Sequence, residues 1–253
     1  MPDVTSDDHT LAAELATAAG RLLVDLRDRT VAGEGDVDAK SLGREGDRRA
    51  HELIMAGLAE ARPDDAVLSE EGVADPARLT ARRVWIVDPL DGTREYGEVP
   101  RTDWAVHVAL TVGGEAVAGA VALPARELTL ATEPAPPTPP AWGGPPRVLV
   151  SRSRPPAEAT RVAEALGGEL VPLGSAGAKA MAVVLGDADV YAHSGGQYEW
   201  DSAAPVAVAR AAGLHVSRLD GSPLVYNRPD PYLPDLLICR ADLADQVIAA
   251  AAG

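Results

Sequence analysis

The sequence predicts a layered fold of the α+β class, a mixed α/β arrangement in two lobes. In the first half, two amphipathic helices precede strands that favour an antiparallel meander, whereas strands and helices alternate in the second half. The proline-rich segment Pro134–Pro146 separates the halves and cannot form a helix or an interior strand. These observations predict one lobe over residues 1–145 and another over residues 146–253.

The N-terminal half is predicted to contain two helices and five strands. Apolar residues at helical spacing predict a helix across residues 11–26, with Ser6 and Asp7 as candidate caps. A second helix is predicted from Asp47 to a point before Pro63, after a polar loop that contains several glycines. Apolar segments then predict the strands Ala66–Leu68, Val84–Val87, Trp104–Thr111, Ala116–Leu123 and Glu127–Ala131.

The C-terminal half is predicted to alternate strands with helices. The predicted strands are Val148–Ser151, Leu170–Leu173, Asp189–Ala192 and Leu236–Cys239. The predicted helices begin near Pro156, Ala176, Asp201 and Leu243. We find no internal repeat.

Composition excludes several classes of function. The single cysteine, Cys239, cannot form an intramolecular disulfide, which favours a reducing, cytoplasmic location. No apolar run approaches the ~20 residues of a membrane span, so we expect no membrane partner. The formal charge of −15 repels polyanions and argues against nucleic-acid polymers as partners, although a local cationic or metal-filled pocket could hold small phosphates.

The densest chemical signal is the segment Asp88–Thr93, which follows the predicted strand Val84–Val87. Its two carboxylates, Asp88 and Asp91, are three residues apart, and Gly92 lets backbone amides approach a phosphate closely. Carboxylates and carbonyls suit hard cations such as Mg²⁺ or Mn²⁺, and the absence of a histidine or cysteine cluster argues against zinc. Taken alone, the segment is equally consistent with a turn in which the two aspartates cap backbone amides.

Three other acidic positions also lie at predicted element ends. Glu70 follows the first predicted strand, Asp201 lies at a predicted helix start, and Asp47 follows the polar loop. If these acidic side chains meet Asp88, they need a positive counter-charge. Together they favour a cation site.

Three segments of the chain form a joint pattern: Ser69-Glu70-Glu71, the stretch from Trp85 to Thr93, and Glu199-Trp200-Asp201-Ser202-Ala203-Ala204. This pattern resembles the motifs of the inositol monophosphatase superfamily of Mg²⁺-dependent, lithium-sensitive phosphatases. Arg94-Glu95-Tyr96 is most similar to the CysQ-type 3′(2′),5′-bisphosphate nucleotidases of sulfur metabolism. The resemblance implies a layered αβαβα sugar-phosphatase-like fold and hydrolysis of the 3′-phosphate of 3′-phosphoadenosine 5′-phosphate to AMP and phosphate.

The resemblance also implies roles for individual residues. Glu70, Asp88 and the carbonyl of Leu90 would hold one Mg²⁺, and Asp88, Asp91 and Asp201 a second, out of about two or three per site, with Mn²⁺ as a substitute. Asp47 and Thr93 would orient and deprotonate the attacking water, although they could instead cap the second helix and close a turn. The implied substrate-binding residues are Gly92, Thr93, Arg94, Ser175, Lys179 and Glu199.

Several alternatives stay open at this stage. The same site could hydrolyse inositol 1-phosphate or fructose 1,6-bisphosphate, or could bind a metal or phosphate ligand without turnover, as a sensor. The family usually has a threonine three residues before the position of Asp47, where this chain has Arg44, so the role of the loop at residues 33–46, including Asp36 and Lys40, is undefined. The sequence also leaves homodimer formation open.

Overall fold

The computed structural model of this chain describes residues 4–33, 38–73, 75–141 and 143–252. The helices are α1 (Ser6–Ala32), α2 (Ala39–Ala61), α3 (Thr93–Gly97), α4 (Ala157–Leu166), α5 (Ala176–Val184), α6 (Glu199–Ala211) and α7 (Ala244–Ala252). The strands are β1 (Ala66–Ser69), β2 (Arg83–Asp91), β3 (Ala105–Val112), β4 (Glu115–Leu123), β5 (Leu128–Ala131), β6 (Arg147–Ser151), β7 (Glu169–Leu173), β8 (Val190–Tyr198), β9 (His215–Ser217) and β10 (Tyr232–Cys239). No helix among these is long and apolar enough to cross a membrane.

The strands form two five-stranded sheets. The first sheet has the order β1-β2-β3-β4-β5, in which β1 is parallel to β2 and the remaining neighbours are antiparallel. Helices α1 and α2 cover one face of this sheet, and α6 packs on the other. The parallel pairing brings the ends of β1 and β2, and therefore Glu70 and Asp88, to the same edge of the sheet.

The second sheet has the order β7-β6-β8-β10-β9. Helices α5 and α6 lie between the two sheets, and α4 and α7 pack together on the far side of the second sheet. The predicted layered αβαβα fold is confirmed. Three buried apolar clusters fill the spaces between its layers, represented by Trp85 beneath α1 and α2, Met181 between the sheets, and Val162 beneath α4 and α7.

Most predicted elements are confirmed, but the start of the second helix is wrong. Helix α2 begins at Ala39, with the Asp38 carboxylate accepting hydrogen bonds from the amides of Lys40 and Ser41, so that residues 39–46 are helical instead of a loop. Gly43 and Gly46, which favoured a loop in the sequence, instead allow close packing. A Cβ on Gly43 would lie 2.6 Å from Cγ2 of Thr93.

Smaller differences concern element ends and short elements. Helix α1 begins after Thr5 instead of after Ser6 or Asp7, β2 continues through Asp91, and α3 and β9 are additions to the predicted set. Gly113 and Gly114 both have positive φ and join β3 to β4 in the predicted antiparallel meander. Asp36 lies outside the described residues. The division into lobes at residues 1–145 and 146–253 stays a prediction.

Candidate active site

Strand β2 delivers two carboxylates to one place through an irregularity in its pairing. Asp88 lies opposite His107 in β3 and Asp91 lies opposite Ala105, so three steps along β2 match two steps along β3. Such a bulge re-aims side chains that regular alternation would place on opposite faces. The amide of Leu90, within the bulge, donates to Asp88 Oδ1 at 3.1 Å.

A third carboxylate comes from the first turn of α6. Oxygens of Asp88, Asp91 and Asp201 all lie within 4.8 Å of one another. The Asp201 side chain is fixed because its Oδ2 accepts a hydrogen bond from the amide of Tyr198, the residue before the helix, at 2.6 Å. The structure therefore brings together three of the five predicted cation ligands from two distant parts of the chain.

Glu70 and the carbonyl of Leu90 complete the predicted ligand set. The amide of Glu70 donates to the carbonyl of Val87 at 3.2 Å, and its side-chain carboxyl is within hydrogen-bonding reach of Asp88. The carbonyl oxygen of Leu90 lies 3.1 Å from the hydroxyl of Thr93. Both groups are therefore beside the acidic cluster.

The electrostatics of this cluster are unfavourable without a counter-charge. Burial, together with the charges of Glu70, Asp91 and other acids, raises the pKa of Asp88 well above its usual range. Burial and the Asp91 charge likewise raise the pKa of Asp201 to about 7. Carboxylates of this kind ionise together only if a cation offsets their repulsion.

Asp91 is the exception within the cluster. Its carboxylate lies at the N-terminus of α5, where it accepts hydrogen bonds from the amides of Ala176 at 3.1 Å and Gly177 at 2.6 Å, and from the hydroxyl of Ser175. Although burial acts in the opposite direction, these bonds and the contact with His107 lower the pKa of Asp91 to about 2. Asp91 therefore stays charged and ties α5 to the site.

Asp47 and Thr93 form the second predicted pair. The Thr93 hydroxyl lies 3.1 Å from Asp47 Oδ2 and 3.1 Å from the carbonyl of Leu90, and can donate its proton to one of them at a time. Asp47 lies two turns inside α2, so the alternative that it caps this helix is wrong. Burial, with the charges of Glu70 and Glu71, raises the pKa of Asp47 to about 8.

One carboxylate oxygen of Asp47 has no hydrogen-bond partner among the residues that the structure describes. Oδ1 is buried and accepts no hydrogen bond from the described residues. A buried carboxylate oxygen of this kind needs a water or ligand partner to offset the cost of its burial. The donor set, four carboxylates and a carbonyl beside this oxygen, is the chemistry that hard divalent cations prefer.

Gly92 and Ser175 of the predicted substrate-binding set lie directly at the cluster. Gly92 has φ of +86°, a left-handed conformation that glycine adopts at low cost, and a Cβ there would lie 3.0 Å from Cβ of Ser175. The next residue, Thr93, begins α3. The short helix therefore starts directly after the Gly92 turn, beside the acidic cluster.

The charged groups of the other three predicted substrate residues already have protein partners. Arg94 is exposed and pairs with Glu98 at 3.0 Å, and both oxygens of Glu199 accept hydrogen bonds from the backbone amides of Asn227 and Arg228. The buried ammonium of Lys179 donates to the carbonyl of Gly174 at 3.0 Å and to that of Ser175. Their contacts with substrate stay predictions.

His107 and Glu71 are site residues that the sequence reasoning missed. His107 is fully buried, with Nε2 3.3 Å from Asp91 and Nδ1 3.0 Å from the carbonyl of Trp200. Its register opposite Asp88 depends on the pairing of β2 with β3, which the sequence does not display. The negative charge of Glu71 is close enough to Asp47 to raise the pKa of that carboxyl.

Comparison with known proteins places this site in a context. The family model described as the inositol monophosphatase family matches residues 6–134 and 147–252. A 3′-phosphoadenosine 5′-phosphate phosphatase of Mycobacterium leprae (strain TN) is 53% identical over 249 residues, 94% of this chain and 90% of the relative. The 3′(2′),5′-bisphosphate nucleotidase CysQ of Escherichia coli (strain K12) is 34% identical over 206 residues, 74% of this chain and 80% of that relative.

Among solved structures, the fold is similar to that of CysQ from Bacteroides thetaiotaomicron, described as a bacterial member of the inositol monophosphatase family. The TM-score is 0.79 at 28% sequence identity, with 92% of this chain and 97% of that chain covered. The similarity therefore extends over both sheets and not only over the acidic motifs.

Proposed function

The chain belongs to the inositol monophosphatase family, and from this premise we propose that it is a Mg²⁺-dependent phosphatase that removes the 3′-phosphate of 3′-phosphoadenosine 5′-phosphate. The observation that carries the proposal is the convergence of Asp88, Asp91 and Asp201 within 4.8 Å, beside the hydrogen-bonded pair of Asp47 and Thr93. A cation site alone would require only the three aspartates. The additional presence of the hydrogen-bonded pair of Asp47 and Thr93 favours hydrolysis over a sensor that binds without turnover.

The acidic residues fit the cations that the family implies. Glu70, Asp88 and the carbonyl of Leu90 would hold one Mg²⁺, and Asp88, Asp91 and Asp201 a second. When bound, Mg²⁺ would supply positive charge to the phosphate and the leaving oxygen and would lower the pKa of the attacking water. Mn²⁺ prefers the same oxygen donors and would substitute for Mg²⁺.

The protein's own part in the reaction is to place and deprotonate that water. The water oxygen attacks phosphorus while one of its protons passes to Thr93 Oγ1, as the Thr93 proton passes to Asp47. The bond between phosphorus and the ribose 3′-oxygen breaks, and this oxygen leaves with a proton from solvent. Gly92 and the first backbone amides of α3 would bind the phosphate oxygens. Ser175 would fix the position of the Asp91 carboxylate, to which its hydroxyl donates a hydrogen bond.

The identity of the substrate rests on the relatives and on one local motif. Relatives that are 53% and 51% identical are named 3′-phosphoadenosine 5′-phosphate phosphatase. In the structure, Glu95 of the discriminating motif Arg94-Glu95-Tyr96 pairs with Arg152 at 2.6 Å, and Tyr96 is buried and donates to the carbonyl of Leu23. Since these contacts fix α3, the motif acts on the substrate pocket through the position of this helix.

A substrate panel tests the proposal. With Mg²⁺ present, we expect kcat/KM for 3′-phosphoadenosine 5′-phosphate to exceed that for inositol 1-phosphate and fructose 1,6-bisphosphate. Preference for either of the latter would transfer the proposal to the corresponding sugar or polyol phosphate. Absence of turnover on every ester, with Mg²⁺ still bound, would favour the sensor alternative.

A further inference from the structure

The exposed aromatic side chains of this protein are concentrated at one place. The sequence contains four tryptophans, five tyrosines and no phenylalanine. Within the described ranges, only Tyr198 and Tyr232 among these residues are exposed, at 42% and 41%. Their rings contact each other in an edge-to-face arrangement, with centroids 5.9 Å apart. Two adjacent, solvent-exposed aromatic side chains are typical of a ligand-binding surface.

This aromatic pair lies beside the acidic cluster. Tyr198 is the last residue of β8, Tyr232 is the first of β10, and the two are paired across the strands. The Tyr198 ring stacks on Trp200 with centroids 4.9 Å apart and planes 10° from parallel. The backbone amide of Tyr198 donates to Asp201, so only one hydrogen bond separates the aromatic pair from a proposed cation ligand.

The backbone next to the aromatic pair contains two consecutive glycines, Gly195 and Gly196. Gly195 and Gly196 both have positive φ, and nothing would lie within 4 Å of a Cβ placed on Gly195. The amide of Gly196 donates to the Tyr232 hydroxyl at 3.2 Å. A flat molecule could therefore approach the aromatic pair over Gly195 without meeting a side chain.

The guanidinium group of Arg154 lies beside the same glycine segment. Both terminal nitrogens of Arg154 lie within 3.8 Å of the position that a Cβ on Gly196 would occupy. Arg154 is exposed, and no carboxylate within the described part of the chain forms an ion pair with it. In a chain with a formal charge of −15, an unpaired guanidinium near an acidic site is well placed to hold a second anionic group of the substrate.

We propose that Tyr198 and Tyr232 bind the base of a nucleotide substrate and that Arg154 binds its second phosphate, so that this rim selects nucleoside bisphosphates over other phosphate esters. The proposal rests on the proposed function of the acidic site. An aromatic ring offers a stacking face to a purine but gains no such contact from inositol or fructose, which lack a π-system. The guanidinium matches a phosphate through two parallel hydrogen bonds.

Three esters separate the two contacts. 3′-Phosphoadenosine 5′-phosphate has both the base and a second phosphate, adenosine 3′-phosphate has only the base, and inositol 1-phosphate has neither. Tyr198→Ala should lower kcat/KM about 5- to 100-fold for the two adenosine esters, mainly through KM, and distinctly less for inositol 1-phosphate. Arg154→Ala should lower it about 10- to 100-fold for the bisphosphate alone.

Matched variants and a binding measurement complete the test. Tyr198→Phe should keep the preference for adenosine esters, Tyr198→Leu should lose it although it keeps apolar bulk, and Arg29→Ala should behave as wild type because Arg29 lies on α1. Calorimetry should show weaker binding of AMP to Tyr198→Ala. Equal losses on all three esters, or none, would overturn the inference while leaving the proposed function standing. A wild-type protein that prefers inositol 1-phosphate would instead overturn the proposed function.

Discussion

Removal of one acidic ligand should stabilise the metal-free protein while abolishing its response to Mg²⁺. Asp201→Asn is the suitable change, because asparagine keeps the size of the side chain and an oxygen that can accept the Tyr198 hydrogen bond, but carries no charge. Carboxylate oxygens of Asp201, Asp88 and Asp91 lie within 4.8 Å of one another. The negative charge of Asp201 is therefore repelled at close range by the charges of the other two. The substitution removes that repulsion together with one ligand.

The size of the effect follows from the pKa of Asp201. Burial and the Asp91 charge raise this pKa from 3.8 to about 7, which corresponds to about 4 kcal/mol at about 1.4 kcal/mol per pH unit. Because the folded pKa is the higher one, the stability contributed by the protonated carboxyl is fully present below the unfolded pKa and is lost as pH rises through about 7. In the presence of a chelator, Asp201→Asn should therefore be more stable than wild type by up to about 4 kcal/mol at pH 8, and by less than half of that at pH 5.

Urea unfolding with a chelator and with Mg²⁺, at both pH values, measures this difference. Wild type should gain about 2.7 kcal/mol at a Mg²⁺ concentration of about 100 times Kd, whereas the variant should gain little and should have lost its phosphatase activity. A metal-free variant less stable than wild type at pH 8 would refute the description of a repulsive acidic cluster. An unchanged stabilisation by Mg²⁺ would refute Asp201 as a ligand.

Three further predictions test other parts of the structure. Asp8 is buried between Arg62 and Arg83, which hold its pKa below the usual range against the opposing effect of burial, so Asp8→Asn should cost about 2–3 kcal/mol at pH 7. This difference should begin to decrease only below about pH 4 and should be lost as pH falls through the lowered pKa of Asp8, so urea unfolding should give the same difference at pH 7 and pH 5 and a smaller one at pH 3. Gly177→Ala should cost about 1–3 kcal/mol and most of the activity, because its Cβ would lie 2.0 Å from Nε2 of His107; full activity would contradict the packing of α5 on the site. Li⁺ at roughly tens of millimolar should inhibit turnover in steady-state assays, and more strongly as substrate saturates, because a small monovalent ion fits an all-oxygen site; undiminished activity would contradict that site.

The sequence was sufficient to predict the layers of the fold and the acidic positions at element ends. Hydrophobic periodicity and turn residues located most helices and strands. The segment Asp88–Thr93 indicated a functional site because it combines two carboxylates, a glycine and a hydroxyl at the end of a strand. The predicted family is confirmed by the family model and by relatives of 53% identity. Local pattern was informative here because the apolar residues of these elements recur at regular spacing and turn residues lie between the elements.

The sequence failed where tertiary packing overrides local preference. Gly43 and Gly46 favoured a loop, yet both lie in α2. Because neither has a side chain, Thr93 can pack closely against Gly43, and Leu23 and Tyr96 can pack closely against Gly46. The place of His107 beside Asp91 depends on strand register, and the buried ammonium of Lys179 turns back to its own loop. None of these contacts has a signature in sequence spacing, since each joins residues through the packing of separate elements.

The most direct test of the account is the Mg²⁺ dependence of phosphate release from 3′-phosphoadenosine 5′-phosphate by metal-stripped wild type and by Asp88→Asn. Asp88 is the residue proposed to contact both cations, and asparagine preserves its size while removing the charge. The account predicts no release without Mg²⁺, saturable recovery of activity as Mg²⁺ is added to wild type, and a loss in the folded variant of at least about 100-fold, or about 2.7 kcal/mol in barrier height. Release by the metal-stripped wild type, or a variant that retains activity within about tenfold of wild type, would contradict it.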